Sequence, residues 1–356
     1  MRLLIITQKY DISDSNLGVF IDWWNKLAER LDKVYVLALE KKSEPTKSNI
    51  EILSMGKESG RGFFGKIFGF YSGLFKTISK SDAVLVHMIP KYVILVVPIV
   101  LIYKKPIYMW YTGVSAHWQL KLAVFFCKKV FTAHEAAMRV NTSKRIVTGH
   151  GIDTDKFSRF ARSGEARQIQ GTITVLSVGR ITPSKGHDLI IHAVADLIES
   201  GYNLKLKIIG GVIQDYHQQY LKSLKELASS LNITESVEFS GPVSYNKMPE
   251  YLGGANILVN TVPFGGLDKV VLEAMSSGII PLTSNSAFSN VFPREISEDL
   301  IFKVNDAEDL KNKLKNIIDK KFYQNEILRA ELRNVVVKSH NLDNLISQIT
   351  KEIKND

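Results

Sequence analysis

The stretch SVGRITPSK (177–185) runs directly into GHDLIIHAV (186–194), and GLDKVVLEAMSSGIIPLTS (266–284) follows further along the chain. In the first two segments an apolar run, a short basic loop and a run with helical spacing succeed one another, which predicts a strand, a loop and a helix. The later stretch places a helix after glycines and ends in another apolar run. Strands that alternate with helices predict an α/β fold with parallel sheets, whose ligands bind beyond the carboxyl ends of the strands.

The rest of the chain follows the same alternation and predicts two successive α/β domains. We place them at residues 1–160 and 161–340, with a polar, glycine-containing segment at their boundary, and expect a last helix at 341–356 that returns to the first domain. Short apolar runs predict the buried strands of the first domain at Leu3–Thr7, Val34–Leu39, Ala83–His87, Ile107–Tyr111, Lys129–Thr132 and Arg145–Thr148.

Composition excludes several classes of protein. The 356 residues are 45% hydrophobic and 23% charged, as in a folded soluble protein, and suffice for two cores. The single cysteine, Cys127, cannot form an intrachain disulfide, which favours a reducing cytoplasm. The apolar start at residues 3–7 is too short for a signal peptide and predicts a first strand. The apolar run Tyr92–Tyr103 is shorter than the roughly 20 residues that span a bilayer, so a buried helix is the better interpretation.

The positive charge of the chain is concentrated in one region. Of the net +10, all falls within residues 51–150, which hold 14 Lys and Arg against 4 acids, while the remainder is neutral. A concentrated basic surface attracts anionic partners. No nucleic-acid motif accompanies it. We therefore expect an anionic membrane surface or a phosphate-bearing acceptor, no nucleic acid, and a cytoplasmic protein that is peripheral on the inner face of the cell membrane.

Two cations lie in the loop between the strand 172–178 and the next helix. Arg180 offers a planar fork for two hydrogen bonds and Lys185 a point charge, and the start of the following helix also favours an anion. This arrangement indicates a phosphate site. The alternative is a solvent-facing loop with two ordinary charges.

The segment around residue 266 supplies the other half of such a site. Gly265 and Gly266 allow the backbone to approach a phosphate closely, and Glu273, further along the helix, is able to accept both hydroxyls of a ribose. The alternatives are an exposed helix glutamate, and an Asp268 that only complements the helix dipole. Together with the two cations, this segment would hold a diphosphate and a ribose. The predicted donor residues of this segment are Gly265, Gly266, Leu267, Asp268, Lys269, Val270 and Glu273.

The first domain contains weaker candidates where its strands end. A glycine in the first loop, Gly18, would let a substrate approach the backbone. The loop after the strand at Ile107–Tyr111 carries two small residues and a histidine, and two further histidines end other segments. A lone histidine is more often packed or solvated than functional, and the turn around residue 150 has an equally good structural explanation. The candidate sugar or acceptor contacts are His87, Thr112, Gly113, His117 and His150.

The segment RGFFGKIFGFYSGLFKTISK (61–80) predicts an amphipathic helix. Its large apolar residues recur at helical spacing between Phe64 and Ile78, and its charged residues are all cations. Two interpretations remain open. The helix lies in a membrane interface, or it packs on the core of the first domain with its lysines in water.

These motifs resemble the retaining glycosyltransferases of family 4, which have the GT-B fold. The resemblance implies two Rossmann-like domains with a cleft between them, a nucleoside-diphosphate sugar as donor, and neither a metal nor another cofactor. It implies that Arg180 and Lys185 are catalytic and bind the diphosphate, and that Glu273 binds the ribose. The motifs are VTGHGIDTDKF (147–157), SVGRITPSKG (177–186), LKIIGG (206–211), VEFSGPVSYNKMPEYLGGANILVN (237–260), GLDKVVLEAMSSGIIPLTS (266–284) and, more weakly, WYTGVSAHWQLKLA (110–123) and VFTAHEAAMR (130–139).

The chain departs from the family pattern at two places. The family has a second glutamate eight residues before the one at Glu273, where this chain has Gly265, and Asp268 is the candidate substitute. The family also tends to carry a histidine after the strand that ends here at Tyr111, where this chain has Thr112 and Gly113.

We therefore expect a retaining hexosyltransferase that moves a sugar from a nucleotide donor to a glycan or lipid-linked glycan in bacterial surface polysaccharide biosynthesis. One alternative is a sugar-nucleotide epimerase of the same fold. The other is a degenerate subunit that binds the nucleotide sugar without turnover, an idea motivated by Gly265.

Overall fold

The computed structural model describes residues 1–113, 115–161, 171–212, 214–263 and 265–355. The chain divides into two units. The first unit comprises Met1–Gly151, the short segment Ser244–Asn246 and the end of the chain from His340. The second unit comprises Ile152–Val243 and Lys247–Ser339.

Each unit is built on a parallel sheet, so the predicted α/β class is confirmed. Among the described residues the first sheet has seven strands in the order β3-β2-β1-β4-β5-β6-β7, and the second has five in the order β10-β9-β8-β11-β12. The strands of the first sheet are β1 (Arg2–Tyr10), β2 (Lys33–Lys41), β3 (Ile50–Ser54), β4 (Ala83–His87), β5 (Ile107–Trp110), β6 (Lys129–Thr132) and β7 (Arg145–Val147). Those of the second are β8 (Ile173–Val178), β9 (Leu204–Ile209), β10 (Val237–Gly241), β11 (Ile257–Asn260) and β12 (Ile280–Thr283).

Helices cover these sheets, as parallel strands require. In the first unit they are α1 (Val19–Ala28), α2 (Phe63–Thr77), α3 (Pro90–Tyr103), α4 (Trp118–Phe126) and α12 (Leu342–Lys354). In the second they are α5 (Thr154–Ala161), α6 (His187–Glu199), α7 (Tyr216–Ser230), α8 (Met248–Gly253), α9 (Lys269–Ser276), α10 (Ala307–Asp319) and α11 (Glu326–Ser339). No helix of the described ranges is both long and apolar enough to cross a bilayer.

The central strand β1 shows why the first unit has helices on both faces of its sheet. Leu4 and Ile6 belong to a buried cluster with residues of α2, α3 and α4. Leu3 and Ile5 are equally buried and point to the opposite face, because successive strand residues alternate. The last helix, α12, packs on α1 within this unit, and Lys26 of α1 forms an ion pair of 3.1 Å with Asp343.

Helix α2 packs on the sheet through its glycines. A Cβ atom at Gly69 would lie 2.5 Å from the carbonyl oxygen of Met55, and one at Gly73 would lie 2.5 Å from Leu37. The buried side of the helix is therefore the one that carries Gly69, Phe70, Gly73 and Leu74. The phenylalanines on its other side stay in water. The core-packing interpretation is correct for the helix and wrong for most of its aromatic residues.

A buried histidine makes the stability of the first unit depend on pH. Burial, with a smaller contribution from the nearby His134, lowers the pKa of His340 from 6.5 to about 4. Between pH 6.5 and about pH 4 the unfolded chain binds a proton at His340 that the folded chain does not. The stability that the neutral His340 ring contributes above pH 6.5 is therefore lost as the pH falls through this window. The full effect is about 3 kcal/mol.

We expect wild-type protein to lose up to about 3 kcal/mol more unfolding free energy than His340→Gln between neutral pH and about pH 4. Urea unfolding followed by tryptophan fluorescence measures this, since Trp23, Trp24, Trp110 and Trp118 all belong to the first unit. Equal losses in the two proteins would contradict the assignment.

Candidate active site

The two predicted cations lie at the carboxyl edge of the second sheet. Arg180 follows β8 after a single glycine and is exposed. Lys185 ends a short 3₁₀ turn at Pro183–Lys185, and Gly186 then takes a left-handed conformation (φ 49°, ψ 37°) that leads the chain into α6. A non-glycine residue is strained in that conformation. The turn thus places both cations beside the start of α6.

Neighbouring strand ends fix the Arg180 loop. The backbone amide of Gly179 donates to the carbonyl of Ile209 (2.9 Å), and that of Ile181 donates to Gly211 (3.1 Å). A Cβ atom at Gly210 would lie only 1.7 Å from the carbonyl oxygen of Gly179. The absence of a side chain at Gly210 therefore allows the two loops to meet.

His187 supports the same loop from beneath, and sequence reasoning missed it. Its ring is buried, with Nε2 3.2 Å from the carbonyl oxygen of Arg180 and Nδ1 3.2 Å from Ser177 Oγ. A carbonyl only accepts, so Nε2 donates to it, and in the neutral ring the Ser177 hydroxyl donates to Nδ1. Burial lowers the pKa of His187, and the backbone hydrogen bond to Arg180 offsets part of this. The ring is neutral at physiological pH and holds the Arg180 backbone.

The two cations share a cavity of about 530 Å³. Its walls come from the loop after β8, from the loop after β11 and from the turn just before α10. They are formed by Arg180, Pro183, Ser184, Lys185, Gly186, Thr261, Val262, Pro263 and Asn305. The hydroxyl of Thr261 donates to the carbonyl of Lys185, which joins the two loops. The cavity has the size of a small-molecule site.

Asp268 lies beside this cavity and contacts Lys185. Its Oδ2 is 3.9 Å from Lys185 Nζ and accepts a hydrogen bond of 3.0 Å from the side-chain amide of Asn260. Asn260 is itself held by Thr283, whose hydroxyl donates to its Oδ1 (3.1 Å). Asp268 is the N-cap residue of α9, yet its side chain accepts no hydrogen bond from that helix. Asp268 therefore does not act as a hydrogen-bonding cap, and the alternative that it complements the dipole of α9 stays open.

The other predicted donor residues surround the start of α9. Lys269 and Val270 are its first residues, and Leu267 just before it is buried. Gly266 accepts a hydrogen bond of 3.1 Å from the side chain of Asn285. Among the described residues that line the cavity, none belongs to the predicted donor segment 265–273.

Two features of this segment bear on the missing acid. Glu273 is buried within α9, so the alternative of an exposed helix glutamate is wrong. Gly265 has φ of 125°, a conformation that residues with a side chain rarely adopt. A glutamate at position 265 would strain the backbone, and Asp268 is the nearby acid that contacts Lys185.

The candidates of the first unit lie at the carboxyl edge of its own sheet. Gly18 is the N-cap residue of α1, and a Cβ atom there would lie 2.5 Å from the carbonyl oxygen of Asp14, which accepts a hydrogen bond of 3.1 Å from the Gly18 amide. Gly18 thus closes the loop after β1. Thr112 and Gly113 are half-buried after β5. A side chain at Gly113 has no room, because its Cβ atom would lie 2.5 Å from the hydroxyl of Tyr111.

The three candidate histidines have different surroundings. His117 is exposed and caps α4, with Nδ1 accepting from the Leu120 amide (3.2 Å). His87 is buried, with Nδ1 3.1 Å from Thr7 Oγ1 and its ring centre 4.0 Å from that of Phe20. His150 is buried near His340, with ring centres 6.2 Å apart. Of the three, only His117 offers a surface to a ligand.

The described ranges hold no group of three or more His, Cys, Asp or Glu side chains that could bind a metal ion. The expected absence of a metal or other cofactor stays a prediction.

Solved structures with the same architecture define the class of fold. Anabaena HepE in complex with UDP and glucose superposes with a TM-score of 0.77 at 14% identity, over 99% of both chains. WaaG, a glycosyltransferase involved in lipopolysaccharide biosynthesis, gives 0.68 at 15% identity over 99% of this chain and 100% of its own. With two Rossmann-like units in the present chain, these likenesses confirm the predicted GT-B fold.

Sequence comparison then identifies the family. Residues 162–350, more than half of the chain, match the glycosyl transferases group 1, and the chain belongs to that family. The predicted class of enzyme, a glycosyltransferase, is thereby confirmed.

Two relatives match this chain over different shares of its length. Protein CapJ of Staphylococcus aureus is 21% identical over 384 residues, 99% of this chain and 94% of its own. GDP-Man:Man(3)GlcNAc(2)-PP-Dol alpha-1,2-mannosyltransferase of Dictyostelium discoideum is 30% identical over 120 residues, 32% of this chain. The match covers 24% of that relative, so the chain spans about a quarter of its length.

Proposed function

We propose that the chain is a retaining hexosyltransferase that takes a sugar from a nucleoside-diphosphate donor and gives it to a glycan or lipid-linked glycan, in bacterial surface polysaccharide biosynthesis. The observation that carries the proposal is the cavity at the carboxyl edge of the second sheet, which presents Arg180 and Lys185 beside the start of α6. The UDP complexes of HepE, the mannosyltransferase relatives and the stated role of WaaG support this substrate class.

The two cations would act on the departing diphosphate. The bond between the sugar C1 and the diphosphate oxygen breaks, and the acceptor oxygen bonds to C1 on the same face while its proton passes to the diphosphate. Negative charge grows on the diphosphate during this step. Arg180 and Lys185 would stabilise that charge, a form of catalysis that depends on charges already in place.

The remaining predicted residues would hold the rest of the donor. Buried Glu273 would accept the ribose hydroxyls, and the backbone at Gly265 and Gly266 would approach the donor. Asp268 would keep Lys185 oriented through the 3.9 Å contact and take the place of the acid absent at residue 265. Gly18 would admit the donor to the first unit.

For the acceptor we propose the carboxyl edge of the first sheet. Exposed His117, with Thr112 and Gly113, would contact the acceptor sugar. His87 and His150 are buried and would act by positioning the neighbouring loops. The protein would work in the cytoplasm, peripheral on the inner face of the membrane, where lipid-linked acceptors are presented.

One observation favours a second candidate, a subunit that binds a nucleotide sugar without turnover. The backbone at Gly265 disfavours the second glutamate of the family pattern. The two candidates share the nucleotide site and differ only in transfer.

The proposal is tested by donor binding and donor turnover with UDP-glucose and GDP-mannose as probes. We expect one of the two to raise the melting temperature selectively, and Glu273→Gln to abolish that shift because the ribose loses its charged acceptor. The same donor should transfer its sugar to lipid-linked glycan acceptors with retained anomeric configuration, which NMR of the product shows. Binding without transfer would support the subunit, and no binding would contradict both candidates.

A further inference from the structure

Helix α2 presents a row of aromatic side chains to solvent. Phe64, Phe68 and Phe75 are 85%, 74% and 51% exposed. Their spacing of four and seven residues places them on one side of the helix, opposite the buried glycines. A set of large apolar residues on one exposed stripe marks an interaction site far more often than single exposed residues do.

Helices α3 and α4 extend this apolar surface. The buried cluster of the first unit contains residues of α2, α3 and α4, so the three helices form one layer on one face of the sheet, which we call the α2–α4 layer. Leu101 and Ile102 at the end of α3 are 66% and 74% exposed. Trp118 and Phe125 of α4 are 67% and 71% exposed. All three helices therefore expose large apolar side chains.

The charges around these side chains are positive. Residues 59–134 contain ten Lys and Arg and a single acid, Asp82. Asp82 is occupied by Arg2, which donates from its backbone amide (2.7 Å) and forms an ion pair of 3.2 Å with it. Four of the lysines are exposed on the layer or at its edge, namely Lys76, Lys80, Lys91 and Lys121. The α2–α4 layer thus combines exposed aromatic side chains with exposed lysines.

A small cavity opens at the ends of α3 and α4, and it too is lined by apolar side chains together with lysines. It measures about 210 Å³ and has apolar walls that include Val100 and Leu101. Lys105 and Lys128 also line it. Apolar walls beside cations suit the junction between a lipid acyl chain and its phosphate.

We propose that the α2–α4 layer is a membrane-docking surface, which binds anionic phospholipid bilayers by inserting Phe64, Phe68 and Phe75 among the lipid headgroups while the surrounding lysines contact lipid phosphates. A bilayer matches both properties of the surface, since apolar side chains enter the boundary of the acyl region and cations gain from the negative surface potential. The inference names the partner of the proposed membrane location. The inference does not depend on the donor site, so vesicle binding and donor binding are tested independently of each other.

The protein carries its own probe for this surface. Trp118 is exposed, whereas Trp23, Trp24 and Trp110 are buried. The full chain, free of donor and acceptor, is mixed with two kinds of vesicle at about 0.1 M salt. One kind is pure phosphatidylcholine, and the other contains about one third phosphatidylglycerol. We expect binding to the anionic vesicles alone, weakening as salt rises, with the emission of Trp118 shifted to the blue and quenched by lipids brominated on their acyl chains. Trp118→Phe supplies the background.

Two sets of variants separate the aromatic from the electrostatic contribution. Replacing Phe64, Phe68 and Phe75 together by serine should weaken vesicle binding about tenfold or more. Replacing Lys76, Lys80, Lys91 and Lys121 together by glutamine should do the same and flatten the salt dependence. All seven side chains are exposed, so the fold should be preserved, and the melting temperature checks this. The matched control replaces Tyr216 and Ile327, which are 69% and 83% exposed on the second unit, by serine.

Several results would overturn the proposal. They are absence of binding to anionic vesicles, equal binding to neutral vesicles, and equal losses in the control and the phenylalanine variant. A dimer in light scattering that dissociates when the three phenylalanines are replaced would assign the surface to a second copy of the chain instead.

Discussion

Arg180→Ala and Lys185→Ala are each expected to lower kcat/KM by about 10²- to 10³-fold, the cost of removing one donor that stabilises transition-state charge. Both side chains line the same cavity at the carboxyl edge of the second sheet. Neither substitution should unfold the protein, because Arg180 is exposed and the ion contact between Lys185 and Asp268 is long, at 3.9 Å. Steady-state kinetics with the donor found in the thermal-shift experiment measures the effect.

Two controls make this result specific. Arg180→Lys keeps the charge but loses the planar fork, so it should recover only part of the activity. Lys222→Ala removes a 75% exposed lysine of α7 in the same unit and should leave kcat/KM unchanged. If both alanine variants retained wild-type turnover, the charge-stabilisation mechanism would be wrong.

Much of the fold was predictable because the strands are apolar and short. Ala83–His87 and Lys129–Thr132 have the predicted bounds, and most other strands agree within one or two residues. β3 was missed because its sequence IEILS carries a glutamate and a serine among three aliphatic residues. Among the described strands β3 is an edge strand that pairs only with β2, so it does not need the continuous apolar run that buried parallel strands show.

Helix α2 shows where hydrophobic periodicity is an insufficient guide. The spacing of its large apolar residues predicts a face that includes Phe64, Phe68 and Phe75, but the sheet contacts the side with Gly69 and Gly73. Close packing of backbones favours glycine, and hydropathy scales do not register that preference. The core interpretation describes the side with the glycines, and the interface interpretation stays a proposal for the exposed side.

The residues of the candidate site also fall into two groups, those that a local sequence pattern indicates and those that only the structure shows. Arg180, Lys185 and Asp268 were candidates from the sequence because charged residues after a strand or at a helix start are conspicuous. His187, Asn260 and Thr283 were not, because each acts through a partner that is distant or on a neighbouring loop. Asn260 joins Thr283 to Asp268 across 23 and 8 residues respectively. Such buried polar networks depend on tertiary structure, and no local pattern announces them.

The loop that carries Arg180 should be disrupted by a single methyl group at residue 210. In Gly210→Ala the new Cβ atom would lie 1.7 Å from the carbonyl oxygen of Gly179, a separation that forces backbone to move. We expect a loss of about 1–3 kcal/mol in unfolding free energy from overpacking. We also expect a fall of about 10²-fold in kcat/KM, since a shift of roughly 1 Å displaces the groups that bind the diphosphate.

The matched control is Gly254→Ala, at the end of α8 in the same unit, where a Cβ atom would meet nothing closer than 3.7 Å. Calorimetry and steady-state kinetics on both variants separate the contact from a general effect of adding a methyl group. Wild-type affinity and turnover in Gly210→Ala would show that the Gly179 carbonyl can move without consequence. The Arg180 loop would then not be the rigid element that the hydrogen bonds from Gly179 and Ile181 describe, and Arg180 would have to find the diphosphate from a mobile loop.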